Sequence, residues 1–116
     1  MTAGREFRGM ADRFRTAPDK AAGMVRAATT KAVVDTQRLA RERAPVDTGY
    51  LRASIFTREG TQGATWWGEV EAGAEYAAYV EHGTSRQRPQ PFMRPAHEQV
   101  KPVFVQMIEQ IGGKAL

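Results

Sequence analysis

Thr65-Trp66-Trp67-Gly68-Glu69-Val70-Glu71-Ala72 decides the fold. Its side chains alternate with a period of two: Trp66, Gly68, Val70 and Ala72 face one way, Trp67, Glu69 and Glu71 the other. That is the pattern of a half-buried strand. Trp66 belongs to the core face. Trp67 shares its face with two glutamates that read as solvated, and a tryptophan left exposed marks a contact surface. Upstream, Gly60-Thr61-Gln62-Gly63-Ala64 reads as a loop and Ser54–Glu59 as the partner strand, so a β-hairpin is expected over about 53–73.

Helical spacing lies on both sides of this hairpin. Phe7, Met10, Ala11 and Phe14 predict a short helix over 5–16, ending before Pro18. Pro18-Asp19 is a helix start, and the stripe Ala21, Val25, Ala28, Ala32, Thr36 and Leu39 carries a long helix over 18–43, stopped by Pro45. At about 1.5 Å per residue that rod is on the order of 37 Å long. Its opposite face, Lys20, Lys31, Asp35, Arg38 and Glu42, is solvated. Pro45, Asp47, Thr48 and Gly49 form a rigid turn, since Asp and Thr bond back to local amides and glycine accepts positive φ. A short helix over 75–83 closes at Gly83. Three prolines between Thr84 and Pro95 predict an extended, stiff arm over 84–95. A C-terminal helix over 96–111 follows, with a kink or a start delayed to Lys101 on account of Pro102. The expectation is one α+β domain over 1–116. A long N-terminal helix and a C-terminal helix pack on a small antiparallel sheet, with the Pro/Arg-rich arm attached.

The chain has 116 residues, 41% hydrophobic and 26% charged, which suits a single globular domain. The core is thin, and stabilisation by neighbouring subunits is expected. With no cysteine, disulfides and thiolate-bound metals are excluded. No secretory h-region and no membrane-length apolar run is present, so a soluble protein without membrane contact is expected. The net charge of +4 favours acidic partners without requiring them.

Catalysis needs a nucleophile or base held by a partner, or a metal, and no such set stands out. His97-Glu98-Gln99-Val100-Lys101 begins like a zincin helix but puts lysine where the second histidine must stand. His82 suits a helix C-terminus beside Gly83. Gly112-Gly113-Lys114 lacks the rest of a phosphate loop. No enzyme, cofactor or metal is expected. The stretch Thr84–Pro95 carries Arg86, Arg88 and Arg94 without a carboxylate. Two uses compete there. The arginines and Phe92 can grip phosphates and stack a base, as in a small nucleic-acid-binding module. Alternatively Phe92 and Met93 plug into a neighbouring protein while the arginines pair with its acids, and the mild net charge favours this second use.

Three ordered segments carry a resemblance. They are Pro45-Val46-Asp47-Thr48-Gly49 with Leu51-Arg52 and Ser54-Ile55, then Tyr76-Ala77 with Tyr79-Val80-Glu81 and Gly83-Thr84, then Pro91-Phe92 with Arg94-Pro95-Ala96. They resemble the gene-product-ten family of long-tailed phages, neck or minor tail components encoded between head-completion and tail-terminator genes. Met93 stands where leucine is common, and Pro102 is less typical of the last helix. The resemblance implies a structural virion protein at the head–tail junction, a neck ring or a tail-completion cap, present in the host cytoplasm during assembly. It implies rings of six or twelve copies, contacts with head-completion or connector proteins and with tail-terminator or tail-tube proteins, and transient contact with passing genomic DNA. No catalytic residue is carried over. The residues expected at a subunit or partner interface are Trp67, Tyr76, Tyr79, Arg86, Arg88, Phe92, Met93 and Arg94.

Overall fold

The central strand of the molecule is the one from which the fold was read. In the computed structural model, which describes residues 11–17, 22–46, 49–63, 65–112 and 114–115, β3 (Thr65–Ala72) lies between two antiparallel neighbours. On one side is β2 (Ile55–Gln62), which ends just before Gly63, whose φ of 59° is the sign tight hairpins need. On the other side is β1 (Ala11–Ala17), and β4 (Lys114–Ala115) completes the order β2-β3-β1-β4. The long helix α1 (Ala22–Arg43) and the C-terminal helix α4 (Met93–Ile111) pack on each other and on this sheet. Two short helices, α2 (Tyr50–Ala53) and α3 (Ala77–His82), turn the chain between them. The α+β class holds, with a wider sheet than a hairpin alone.

The extra width comes from residues 11–17, which form a strand where the apolar spacing predicts a helix. A short isolated helix is marginal because its first turn is costly to nucleate. The free edge of β3 offers instead a ladder from Ala11↔Glu71 to Thr16↔Trp66. Phe14 enters the core in either conformation. It is fully buried, edge-on to Phe104 at 5.0 Å and stacked on His97 at 5.0 Å. The rest of that expected helix, over 5–10, and the start at Pro18-Asp19 lie outside the described residues.

The stripe of α1 is buried at Val25, Ala28, Ala32 and Thr36, and Thr29, Val33 and Ala40 widen it. On the opposite face Lys31 pairs with Asp35 at 2.7 Å and Arg38 with Glu42 at 3.4 Å, exposed i,i+4 pairs that contribute little to stability. Small residues allow a close approach to the sheet. A Cβ built on Gly68 would lie 2.7 Å from Val33 Cγ1 and 2.9 Å from Thr29 Cγ2. Gly68→Ala is therefore expected to overpack the α1–β3 contact and cost about 1–3 kcal/mol. A thermal melt reads this directly, and an unchanged midpoint would mean that α1 lifts from β3 without penalty.

Two expectations for the strand faces need correction. Trp66 is half-buried rather than fully enclosed, with the Arg26 guanidinium 4.7 Å from its ring centre. Glu69 and Glu71 are buried, not solvated. Arg58 on β2 stands opposite Glu69 and reaches both carboxylates, Glu69 Oε1 at 3.0 Å and Glu71 Oε2 at 3.4 Å. Cross-strand opposition on one face permits this pairing, which a single-strand pattern does not reveal. Trp67, half-buried on the same face, lies against Gly60, where an added Cβ would come within 3.0 Å of its ring. Its indole covers a strand glycine that has no side chain of its own.

α4 runs through Pro102 without the delayed start. Its buried seam, Met93, Ala96, Val100, Phe104 and Ile108, continues across the proline, while Pro102 itself is exposed. The hydrogen bond the proline omits thus falls on the solvated side.

Candidate interaction surface

Gly49, at φ 82°, opens α2, and Leu51 drives this short helix into the core while Tyr50 is left 58% exposed. Ser54 closes it: its hydroxyl donates to the Leu51 carbonyl at 2.7 Å. Asp47 and Thr48, expected in the preceding turn, lie outside the described residues. α3 repeats the division of labour. Ala77 and Glu81 point inward, while Tyr76 and Tyr79, three residues apart on one helical face, remain 40% and 63% exposed.

Glu81 is the residue that organises the next segment. Its carboxylate is almost fully buried and accepts the backbone N–H groups of Phe92 at 3.0 Å, Met93 at 2.9 Å and Arg94 at 2.9 Å. A helix begins with four N–H groups that have no partner within it. At α4 these belong to residues 92 to 95, three are taken by Glu81, and Pro95 has none to satisfy. A side chain of α3 therefore caps α4, and its negative charge sits at the positive end of the helix dipole.

Between the two helices the chain closes on itself. Gln90 N–H donates to the Val80 carbonyl at 2.8 Å and Thr84 N–H to the Gln87 carbonyl at 3.0 Å. The Thr84 hydroxyl oxygen accepts from Arg86 N–H and Gln87 N–H. Gly83, at φ 78°, has no room for a side chain: an added Cβ would meet Pro89 N at 2.7 Å and the Gln87 carbonyl at 2.9 Å. The proline-rich stretch is thus a tied loop over 84–91 rather than an extended arm. Its exit is buried, since Phe92 and Met93 are 0% exposed and belong to the chain's own core. The isolated chain leaves neither side chain exposed as the expected anchor. The three N–H bonds to Glu81 draw them inward, a long-range tether that local composition does not disclose.

One group of exposed residues borders a cleft. Tyr50 and Leu51 from α2, Tyr76 just before α3 and Val80 within it, and Gln87, Arg88 and Gln90 from the loop line a cleft of about 650 Å³. The rings of Tyr50 and Tyr76 are 6.1 Å apart at their centres. Two of the sequence segments that carry the resemblance, those beginning at Pro45 and at Tyr76, meet here.

Residues 8–83, well over half of the 116-residue chain, match the model of the HK97-gp10_like family, described as "Bacteriophage HK97-gp10, putative tail-component". The chain belongs to that family. No curated protein and no solved structure matches it.

As a member of the HK97-gp10-like family the protein is a structural component of a phage tail, and its place is in the virion. The matched residues take in α2, α3 and the tyrosines, and stop at Gly83, before the tied loop. Of the expected interface residues, the cleft gathers Tyr76 and Arg88; Tyr79 stands beside it on α3. Arg86 and Arg94 are exposed on the loop and the first turn of α4, and neither they nor Arg88 form an ion pair among the described residues. Trp67 sits apart, on the sheet. Tyr50 and Val46, the latter 56% exposed, were not foreseen. A large apolar residue on either side of the turn was the available signal. Among the described residues no cluster of three metal-ligating side chains occurs, and no helix is long and apolar enough to cross a membrane.

Proposed function

We propose that this HK97-gp10-like chain completes the tail where it meets the head, acting as a ring of identical subunits, six or twelve, held between head-completion or connector proteins and the tail terminator or tail tube. The observation that carries the reading is the concentration of Val46, Tyr50, Tyr76 and Tyr79 around the segments that mark the family. Exposed tyrosines grouped in one patch are typical of contact surfaces. A ring made of one repeated heterologous contact closes only when the interface angle divides the circle, so small changes at this patch act strongly on assembly. Tyr76→Ala combined with Tyr79→Ala is expected to leave melting unchanged while abolishing rings and the joining of heads to tails. Native mass measurement of the purified protein, alone and with tails, checks this. A wild-type chain that stays monomeric in both settings refutes ring assembly.

A second reading has its own observation. Arg86, Arg88 and Arg94 are exposed without ion pairs among the described residues, which suits transient contact with genomic DNA passing through a ring, or a small nucleic-acid-binding role. Phosphate contact predicts binding that weakens steeply as salt rises. A gel shift at low salt with duplex and single-stranded DNA decides it, and the absence of any shift removes the role.

A further inference from the structure

We infer that in solution the free edge of β2 docks the β2 of a second copy, joining the two sheets across a two-fold axis at Arg58. In the order β2-β3-β1-β4, β2 is paired on one side only. Its register with β3 runs unbroken from Ile55↔Ala72 to Gln62↔Thr65, so its main-chain groups turn toward β3 and away from it at alternate residues. Two contacts fix which residues do which. The Ser54 carbonyl accepts from Gly73 N–H at 2.9 Å, on the β3 side. The Ile55 carbonyl accepts instead from the Gln37 amide at 3.0 Å and the Arg41 guanidinium at 2.8 Å, both on α1. Thr57, Glu59 and Thr61 therefore turn their N–H and C=O groups outward, as Ile55 does. Side chains of α1 cover the edge at Ile55, and among the described residues nothing bonds the outward groups of the other three. An edge of this kind templates another strand unless a proline or bulge blunts it, and β2 has neither.

The side chains select the occupant and its register. An antiparallel partner sets outward residues opposite outward residues, which leaves β2 against itself two central registers. With Glu59 on the axis two carboxylates stand face to face, and like charges directly opposite destabilise a sheet. With Arg58 on the axis, Thr57 brings a hydroxyl donor opposite the partner's Glu59. Phe56, 40% exposed, then faces the partner's Gly60, which has no side chain. The two Arg58 meet, but each already lies against two buried carboxylates, Glu69 at 3.0 Å and Glu71 at 3.4 Å. The flank of the edge agrees. Thr30 donates to Glu59 at 2.7 Å and Gln37 reaches Ile55, and between them on that face of α1 Val34 is 50% exposed. Pairing turns the two Val34 side chains toward each other across the axis. This contact is isologous and cannot by itself propagate a ring. It is separate from the tyrosine contact proposed above and stands whether or not rings form.

The test uses the full chain, which has no cysteine, so introduced cysteines report the contact cleanly. Thr57→Cys chains mixed with Glu59→Cys chains are expected to form disulfide-linked dimers under mild oxidation. Opposed Cα atoms about 5.5 Å apart lie within the roughly 4.4–6.8 Å that a disulfide spans. Either variant alone should give no such dimer, because its two cysteines stand two residues out of step. Pairing strength is read by sedimentation in the Tyr76→Ala/Tyr79→Ala chain, which is expected to lack rings and to keep the pair. Added there, Thr57→Pro removes only an outward N–H, and it should leave the melt unchanged while weakening the pair about tenfold or more. Val34→Glu, at an exposed position, is the second variant and should weaken it about threefold through like-charge opposition. A monomer in that background at every concentration overturns the assignment. So does cross-linking of Glu59→Cys alone, or a pair untouched by both Thr57→Pro and Val34→Glu. Wild-type rings without the mixed cross-link sink this inference alone, and a cross-linked pair without rings sinks only the ring.

Discussion

Glu81→Ala is expected to lower the stability of the chain by about 3 kcal/mol, less than three times the roughly 1.5–3 kcal/mol that one hydrogen bond to a charged acceptor contributes, because water entering the vacated site re-pairs some of the donors. For a domain near this size that is a fall in melting temperature on the order of 12 °C. The reason is geometric. One carboxylate serves Phe92, Met93 and Arg94 at 2.9–3.0 Å. Glu81→Gln keeps one carbonyl oxygen and points an amide NH₂ at the remaining donor, so it should lose about half as much. Amide hydrogen exchange supplies the local readout. In Glu81→Ala the amides of residues 92 to 94 should exchange far faster than those of Val100 or Phe104, because the cap opens before the helix does. A melting point within about a degree of wild type would show that this carboxylate is not the cap of α4.

Phe92→Ala should have a comparable effect by a different route. The ring is fully buried between the capped helix start and the core, and truncating a buried phenylalanine costs about 3–5 kcal/mol through lost transfer energy and the cavity left behind. The variant is expected to be poorly folded at 37 °C. Arg94→Ala, two residues on but exposed, should change stability by no more than about 0.5 kcal/mol. The pair separates core from surface within one segment. If Phe92→Ala melted like the wild type yet failed to assemble, its ring would be a docking group after all.

These two residues also show how far local pattern carries. The alternation of 65–72 names the central strand and the face that meets α1, because one face of a half-buried strand must be apolar. The small-residue stripe of α1 names a close helix contact, and Gly68 is where that contact falls. The exposed tyrosines and free arginines of the surface lie in segments that turn residues had already marked as individual. Residues 11–17 went the other way. Their spacing suits a helix, but the open edge of β3 outweighs local preference in so short a piece. Phe92 and Met93 read as exposed anchors because prolines surround them, and proline says nothing about burial.

The order of residues by itself determined the two long helices, the hairpin, the mild positive charge and the family, since each depends on neighbours within a turn or two, or on motifs read in order. Tertiary structure alone decided which acids are buried, that Glu81 caps a helix starting eleven or more residues later, and that three distant segments share one cleft. Those outcomes depend on which surfaces meet after collapse. A buried carboxylate and a solvated one look alike along the chain until their partners are in place.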